Sequence, residues 1–179
     1  MELISEELFK EYSPIKEDAV ISKFKPYIGI AQKMYIEKLL GKALTEELQG
    51  QIKAAQDNPS AQPYPISDNN KALLLMIAPA LSFYAVYQGL PFHWAAIVNK
   101  GLTVRESENS KGVEIKDVAQ LRRWLRDDAE ELLNQLIEYL CNCGGIYPLW
   151  KAGGYCKGCG CEGEAKVTPY DSGIFIPNR

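Results

Sequence analysis

The stretch DVAQLRRWLRDDAEELLNQLIEYL, residues 117–140, decides the fold because its apolar residues recur at steps of three and four. This spacing places them on one side of an α-helix. The residues expected to face the core are Val118, Leu121, Leu125, Ala129, Leu132, Leu136 and Leu140. Asp117, with Gln120 three residues later, predicts a capping box at the helix start. The other side is rich in charged residues, which is typical of a solvated helix surface.

An apolar stretch lies before it, LLLMIAPALSFYAVYQGL at residues 73–90, and it predicts a helix buried on nearly all sides. Residues 72–98 contain no Asp, Glu, Lys or Arg, so the stretch is long enough to cross a membrane. Pro79, Gly89 and Pro91 interrupt it and no basic clusters flank it, which favours a buried core helix. We expect Ser67 or Asp68 to cap this helix, Pro79 to bend it, and Gly89 with Pro91 to end it near residue 88.

Two smaller helices and one hairpin complete the predicted elements. Apolar residues at helical spacing follow Ser22, which suits an N-cap, and continue to Leu39, after which Gly41 suits a helix stop. TEELQGQIKAAQ, residues 45–56, predicts a shorter amphipathic helix. Alternating residues in GLTVRESENSKGVEI predict a β-hairpin at about residues 101–116 with ENSKG at its tip.

The predicted fold is therefore mainly α, a helical bundle around a buried central helix, with one β-hairpin and an irregular C-terminal tail. Residues 1–140 form the helical domain. Residues 141–179 form an appendage rich in Cys, Gly and Pro that ends in a C-terminal arm.

Composition narrows the function classes. The net charge of -3 and the pI near 5.3 disfavour a general nucleic-acid binder, which needs many basic residues facing phosphates. The N-terminal residues MELISEELFKEY carry acidic residues where an export signal carries positive charge, so an intracellular protein is expected.

The cysteines form the most specific chemical pattern, Cys141-Asn-Cys143 followed by Cys156-Lys-Gly-Cys159-Gly-Cys161. Such spacing can wrap thiolates around one zinc ion, and the candidate ligands are Cys143, Cys156, Cys159 and Cys161. Free thiols in an intracellular tail are the alternative, and disulfides are disfavoured in that compartment. Cys156 and Cys159 as a redox pair would lack the β-α-β setting that thioredoxin-like chemistry uses.

No catalytic residue is predicted. His93 is the single histidine, and its neighbours Phe92 and Trp94 favour a packed structural role. Nothing in a helix surface run would separate the pKa values of the carboxylates at 127, 128, 130 and 131, so these are expected to be solvated.

The order of elements resembles a known class of proteins. An amphipathic helix ending YIEKLLGKAL is followed by the buried helix, the hairpin sequence and the helix of residues 117–140. This order is similar to the small helical head-to-tail connector proteins of tailed phages and prophages, especially uncharacterised relatives from Bacteroides-type genomes. The resemblance covers about residues 15–140.

The resemblance implies a non-enzymatic virion assembly protein whose copies form a ring. The ring would dock to the portal, contact tail proteins and hold DNA only as the content of its channel, with no membrane, small-molecule substrate or required cofactor. Its location would be the host cytoplasm during assembly and then the virion. The contacting arms would be the hairpin and the tail YDSGIFIPNR, residues 170–179. The interface residues that follow are Leu102, Val104, Val113, Ile115, Ile174, Phe175 and Ile176.

The Cys-rich segment departs from the connector pattern. Two other functions therefore stay open, an intracellular zinc-binding interaction module and a thiol redox protein.

Overall fold

The computed structural model describes residues 1–15, 21–98, 101–104, 114–143, 145–153 and 155–156. The helices are α1 (Glu6–Tyr12), α2 (Lys25–Ala31), α3 (Glu37–Asp57), α4 (Asp68–Trp94) and α5 (Ile115–Asn142), and the strands are β1 (Ala95–Val98) and β2 (Gly101–Val104). A 3₁₀ turn, Ile21–Lys23, precedes α2, and a π-helical turn, Gln32–Ile36, joins α2 to α3. The predicted mainly helical fold is confirmed.

Helix α4 lies at the centre, packed on α5 along one side and on α1 and α2 along others. Leu73, Ile77, Leu81 and Ala85 are completely buried along its length. By length and composition alone α4 could cross a membrane, but 61% of its apolar window is buried inside the protein. The core helix of a soluble protein passes the same test.

The start of α4 was predicted correctly and its end was not. The hydroxyl of Ser67 accepts a hydrogen bond from the Asn70 amide at 3.2 Å, which is an N-cap. The helix then continues through Gly89 and Pro91 to Trp94. Gly89 is a packing position, because a Cβ there would lie 2.8 Å from Cδ1 of Phe24, next to α2. A glycine that admits a neighbouring helix carries the same sequence signal as a helix stop.

The first long helical segment also differs from expectation. Ser22 lies in the 3₁₀ turn, and Phe24 occupies the N-cap position of α2, with Pro26 in the first turn. The predicted break at Gly41 is confirmed, because its φ of 75° and ψ of 164° are not helical and form a kink that divides α3 into two helical segments. A positive φ is accessible to glycine at little steric cost, so the kink occurs there.

Helix α5 confirms most of the predicted core face. Leu125, Ala129, Leu136 and Leu140 are buried, whereas Leu121 is 44% exposed. At about 100° per residue, Leu121 points roughly 70° away from the centre of the buried face.

The capping box predicted for this helix is wrong. The helix begins at Ile115 with Glu114 as its N-cap, and no side-chain hydrogen bond caps it. Asp117 therefore lies inside the first turn.

The predicted hairpin is not supported. Strand β2 pairs antiparallel with the preceding β1, with Leu102 opposite Ile97 and Val104 opposite Ala95. Ile115 belongs to α5, and residues 105–113 lie outside the described part of the chain. The residues of β1 continue the apolar run of α4, so periodicity alone could not separate the strand from the helix.

Candidate assembly surface

The outward side of α5 carries a row of exposed residues at alternating steps of four and three. Its members, here called the α5 stripe, are Asp117, Leu121, Trp124, Asp128, Glu131, Gln135 and Glu138. Residues at these steps lie one above another on one side of a helix. They face away from the buried side that packs against α4.

The α5 stripe combines an apolar pair of side chains with negative charge. Trp124 is 59% exposed and lies beside the exposed Leu121. The stripe includes four carboxylates and no Lys or Arg. Within the described part of the chain, no cation pairs with Asp128 or Glu138, and Glu131 accepts one hydrogen bond from Gln135 at 3.4 Å.

Two of the three arginines of α5 are engaged elsewhere. The guanidinium of Arg122 lies over the ring of Tyr87, 4.4 Å from its centroid. Arg126 donates hydrogen bonds to the Asp127 carboxylate and lies 3.5 Å from Glu130. The negative charge of the α5 stripe therefore remains available, around an aromatic residue of the kind that anchors protein interfaces.

A second exposed feature lies where α3 kinks. A groove of about 360 Å³ runs between the kink and the residues that follow α5, and we call it the lysine groove. Lys38, Lys42 and Lys151 line it together with Leu149 and Tyr155, which are 42% and 46% exposed. No acidic residue is among its described lining residues.

The lysines of the groove are largely unpaired. Lys42 lies 3.7 Å from Glu46, and both side chains are highly exposed, so this pair contributes little. Neither Lys38 nor Lys151 forms an ion pair with a described residue. The groove therefore presents positive charge around an apolar surface.

The chain after α5 folds back to build this groove. Trp150 is buried, and its indole Nε1 donates a hydrogen bond to the backbone carbonyl of Leu39 at 3.0 Å. The hydroxyl of Tyr147 donates to the carbonyl of Asn69 at 2.7 Å, at the start of α4. This part of the predicted appendage packs with the helical core, which local sequence patterns did not reveal.

The cysteines differ from the expectation of free thiols. Cys141 and Cys156 form a disulfide with their Cα atoms 5.6 Å apart, and Cys143 is a free, half-buried thiol. The fold-back of residues 145–153 brings Cys156 to the end of α5, an encounter that spacing could not predict. Cys159 and Cys161 lie outside the described residues.

The disulfide affects both functions proposed for the cysteines, zinc binding and thiol redox chemistry. While it is formed, Cys156 cannot act as a zinc thiolate or pair with Cys159. The described residues contain no cluster of three metal-ligating side chains. The predicted zinc set of Cys143, Cys156, Cys159 and Cys161 stays a prediction for the reduced chain.

The predicted interface residues are scattered. Leu102 and Val104 lie in β2, and Ile115 is 70% exposed at the first position of α5. Val113 and the residues at 174–176 lie outside the described part of the chain. His93 is exposed, although its ring lies 5.2 Å from that of Phe24, so its packing role stays a prediction.

The family model for a family of unknown function, DUF6712, matches residues 36–160, well over half of the chain. The chain belongs to this family. Both the α5 stripe and the lysine groove lie within the matched residues. No curated protein and no solved structure matches the chain.

Beneath α5, this DUF6712 chain holds a stacked pair of tyrosines, the buried Tyr84 and the half-buried Tyr35. The rings of Tyr35 and Tyr84 stack 3.8 Å apart, and the amide of Gln88 donates a hydrogen bond to the Tyr35 hydroxyl at 2.7 Å. Burial raises the pKa of Tyr84 to about 12. Both hydroxyls are therefore neutral at physiological pH, as suits a structural pair.

An open cleft of about 990 Å³ lies beside the N-terminal segment of the DUF6712 chain. The buried amide of Gln32 at its edge is satisfied within the chain, accepting from the Leu3 amide and donating to Glu37 and the Met1 carbonyl. Most of the cleft precedes the family match. The α5 stripe and the lysine groove are therefore the stronger candidates.

Proposed function

We propose that this DUF6712 protein is a non-enzymatic virion assembly component, a ring-forming head-to-tail connector that docks to the portal. The order of its helical segments, which resembles that of phage connectors, supports the proposal. So does the α5 stripe, because connector copies must bind each other through exposed surfaces.

The observation that carries the proposal is the exposure of Trp124. An exposed indole offers a large apolar area that a monomer leaves in water, and tryptophan is among the residues that contribute most to interfaces. Leu121 enlarges the apolar area, and the surrounding carboxylates give it a polar rim.

The proposed partners are further copies of the chain, the portal and tail proteins, with DNA as the content of the channel. A net charge of -3 suits such a lining, because DNA must slide past it without tight phosphate contacts. We retain residues 170–179 as a proposed contact arm. The proposed location is the host cytoplasm and then the virion.

The test is light scattering of the purified chain across a concentration series, with negative-stain microscopy of the large species. We expect closed rings from the wild type. Trp124→Ala should shift the mass distribution toward monomer, and Tyr64→Ala, which removes another exposed aromatic ring, should not.

Two outcomes would count against the proposal. If Trp124→Ala leaves the rings unchanged, the exposure of Trp124 no longer supports the proposal. A wild-type chain that stays monomeric and does not bind the portal protein of its own genome would reject the connector function. Zinc analysis of the same sample, with reductant, tests the alternative of a zinc-binding interaction module.

A further inference from the structure

We infer that the α5 stripe of one copy docks into the lysine groove of a second copy. The inference rests on the self-association in the proposed function and deepens it by naming both surfaces of the contact. It follows from the charge, the apolar content and the separation of the two surfaces.

The charges are complementary. The α5 stripe has four carboxylates and no basic residue, and the lysine groove has three lysines and no acidic residue among its described lining residues. Asp128, Glu138, Lys38 and Lys151 have no ion-pair partner among the described residues of their own chain. Such facing charges speed association and fix the register of two surfaces.

The apolar parts are complementary as well. Trp124 and Leu121 form the apolar part of the α5 stripe, and Leu149 and Tyr155 form exposed apolar area in the lysine groove. At about 360 Å³, the groove falls within the range of roughly 300–1,000 Å³ typical of binding pockets. A lysine beside the indole face would add a cation–π contact.

The apolar part of the stripe lies far from the groove of its own copy. Trp124 precedes Cys141, near the groove end of α5, by 17 residues, which is about 25 Å of helix. Glu138, at the other end of the stripe, lies within one turn of Cys141. Because one continuous helix holds Trp124 at this distance, Trp124 can dock only into the groove of another copy. A contact between two different surfaces is head-to-tail, and repetition of it closes into a ring when the rotation allows.

The experiment is a charge exchange between two variants. The groove variant carries Lys42→Glu and Lys151→Glu, so both of its surfaces are acidic. The stripe variant carries Asp128→Lys, Glu131→Lys and Glu138→Lys, so its stripe holds three lysines against the one remaining carboxylate of Asp117 and both of its surfaces are basic. Sedimentation velocity measures the association of the wild type, of each variant alone, and of an equimolar mixture of the two.

We expect each variant alone to associate at least about tenfold more weakly than the wild type, because like charges then face each other. In the mixture, the acidic stripe of the groove variant can bind the basic groove of the stripe variant. The basic stripe of the stripe variant can likewise bind the acidic groove of the groove variant. The mixture should therefore recover oligomers in which the two variants alternate.

Matched controls distinguish the effect of changing these two surfaces from the effect of changing the net charge of the protein. Lys33→Glu with Lys53→Glu matches the charge change of the groove variant, and Glu7→Lys, Glu11→Lys and Asp57→Lys together match that of the stripe variant, all at positions outside both surfaces. Both controls should associate like the wild type. Circular dichroism checks that every variant keeps its helix content.

The outcomes distinguish this inference from the proposed function. Rings that form in the wild type and persist in both variants would overturn the inference and leave the connector function standing. Loss of association in the variants without recovery in the mixture would also overturn it. A wild-type chain that is monomeric at every concentration would also overturn the inference. The connector function would then be tested by measuring whether the chain binds the portal protein.

Discussion

Replacing Gly89 with alanine tests the central packing of the bundle. The new Cβ would lie 2.8 Å from Cδ1 of Phe24 and 2.9 Å from Cδ2 of Tyr27, distances that real Cβ atoms essentially never show. Overpacking of this kind costs about 1–3 kcal/mol. Alanine in place of glycine within a helix recovers about 1 kcal/mol, so the net change lies between about zero and 2 kcal/mol of destabilisation.

Gly50→Ala is the matched control, because Gly50 lies within α3 and a Cβ added there would have no heavy atom within 4 Å beyond its immediate helical surroundings. This change should stabilise the protein by about 1 kcal/mol through helix propensity alone. The unfolding free energies of the two variants should therefore differ by about 1–3 kcal/mol. At about 2–4 °C per kcal/mol, their melting temperatures should differ by roughly 2–12 °C.

The assay is urea denaturation followed by circular dichroism, with a thermal scan on the same samples. Equal stabilisation in both variants would refute the close approach of α2 to α4 at Gly89. Combining Gly89→Ala with Phe24→Leu should relieve part of the clash. A double-mutant cycle should then show a coupling of about 1 kcal/mol, and additive effects would argue against that contact.

Three further predictions concern the core, a buried tyrosine and the disulfide. Leu136→Ala removes a fully buried side chain of α5 and should lower the free energy of unfolding by about 2–5 kcal/mol, measured by denaturant titration. Leu121 is half-exposed, so Leu121→Ala should lower it by about 1 kcal/mol or less. Equal losses of stability in the two variants would contradict the orientation of α5. Because the pKa of Tyr84 is raised from 10.0 to about 12, its contribution to stability is complete below pH 10 and is lost as pH rises toward about 12. An absorbance titration of wild type against Tyr84→Phe should show one tyrosine ionising late, and a difference spectrum centred near pH 10 would contradict the burial. Cys156→Ser should lower the free energy of unfolding by about 2–4 kcal/mol in oxidising buffer. With reductant the substitution should have little effect, because Cys141 is then unpaired in both proteins. Equal stability of the two proteins in oxidising buffer would mean that the disulfide does not form.

Local sequence patterns were sufficient to predict the existence of the two longest helices, α4 and α5. The apolar period of α5 and the uninterrupted apolar run of α4 are properties of neighbouring residues, so they can be read without knowing the fold. The same reasoning misjudged the end of α4, because the helix continues through Gly89 and Pro91, and at Gly89 the close packing of Phe24 and Tyr27 favours a residue without a side chain.

The contacts made by the chain after α5 could not be predicted in this way. The bond from Trp150 to the carbonyl of Leu39 joins residues 111 positions apart, and the Cys141–Cys156 pair depends on the same fold-back. Neither has a periodic signal. A stretch rich in Gly and Cys looks like an irregular tail until its tyrosine and tryptophan are seen to be buried.

The α5 stripe did have a signal in the sequence. Trp124 lies on the helix side that charged residues mark as solvated, which is an unfavourable place for a large apolar ring in a monomer. Treating that side as uniformly solvated, and Leu121 as core, concealed the row of residues at steps of four and three.

The arrangement of the helices explains why this surface stays open. Helix α4 is covered by α5 on one side and by α2 on another, so the outward side of α5 has no helix of the described chain to cover it. An apolar surface left open in this way would promote indiscriminate association. The carboxylates around Trp124 repel other acidic surfaces, including a second α5 stripe, while they admit a basic one. The charge pattern thus favours head-to-tail contacts over symmetric pairing of two stripes, which is the choice that separates a ring from a simple dimer.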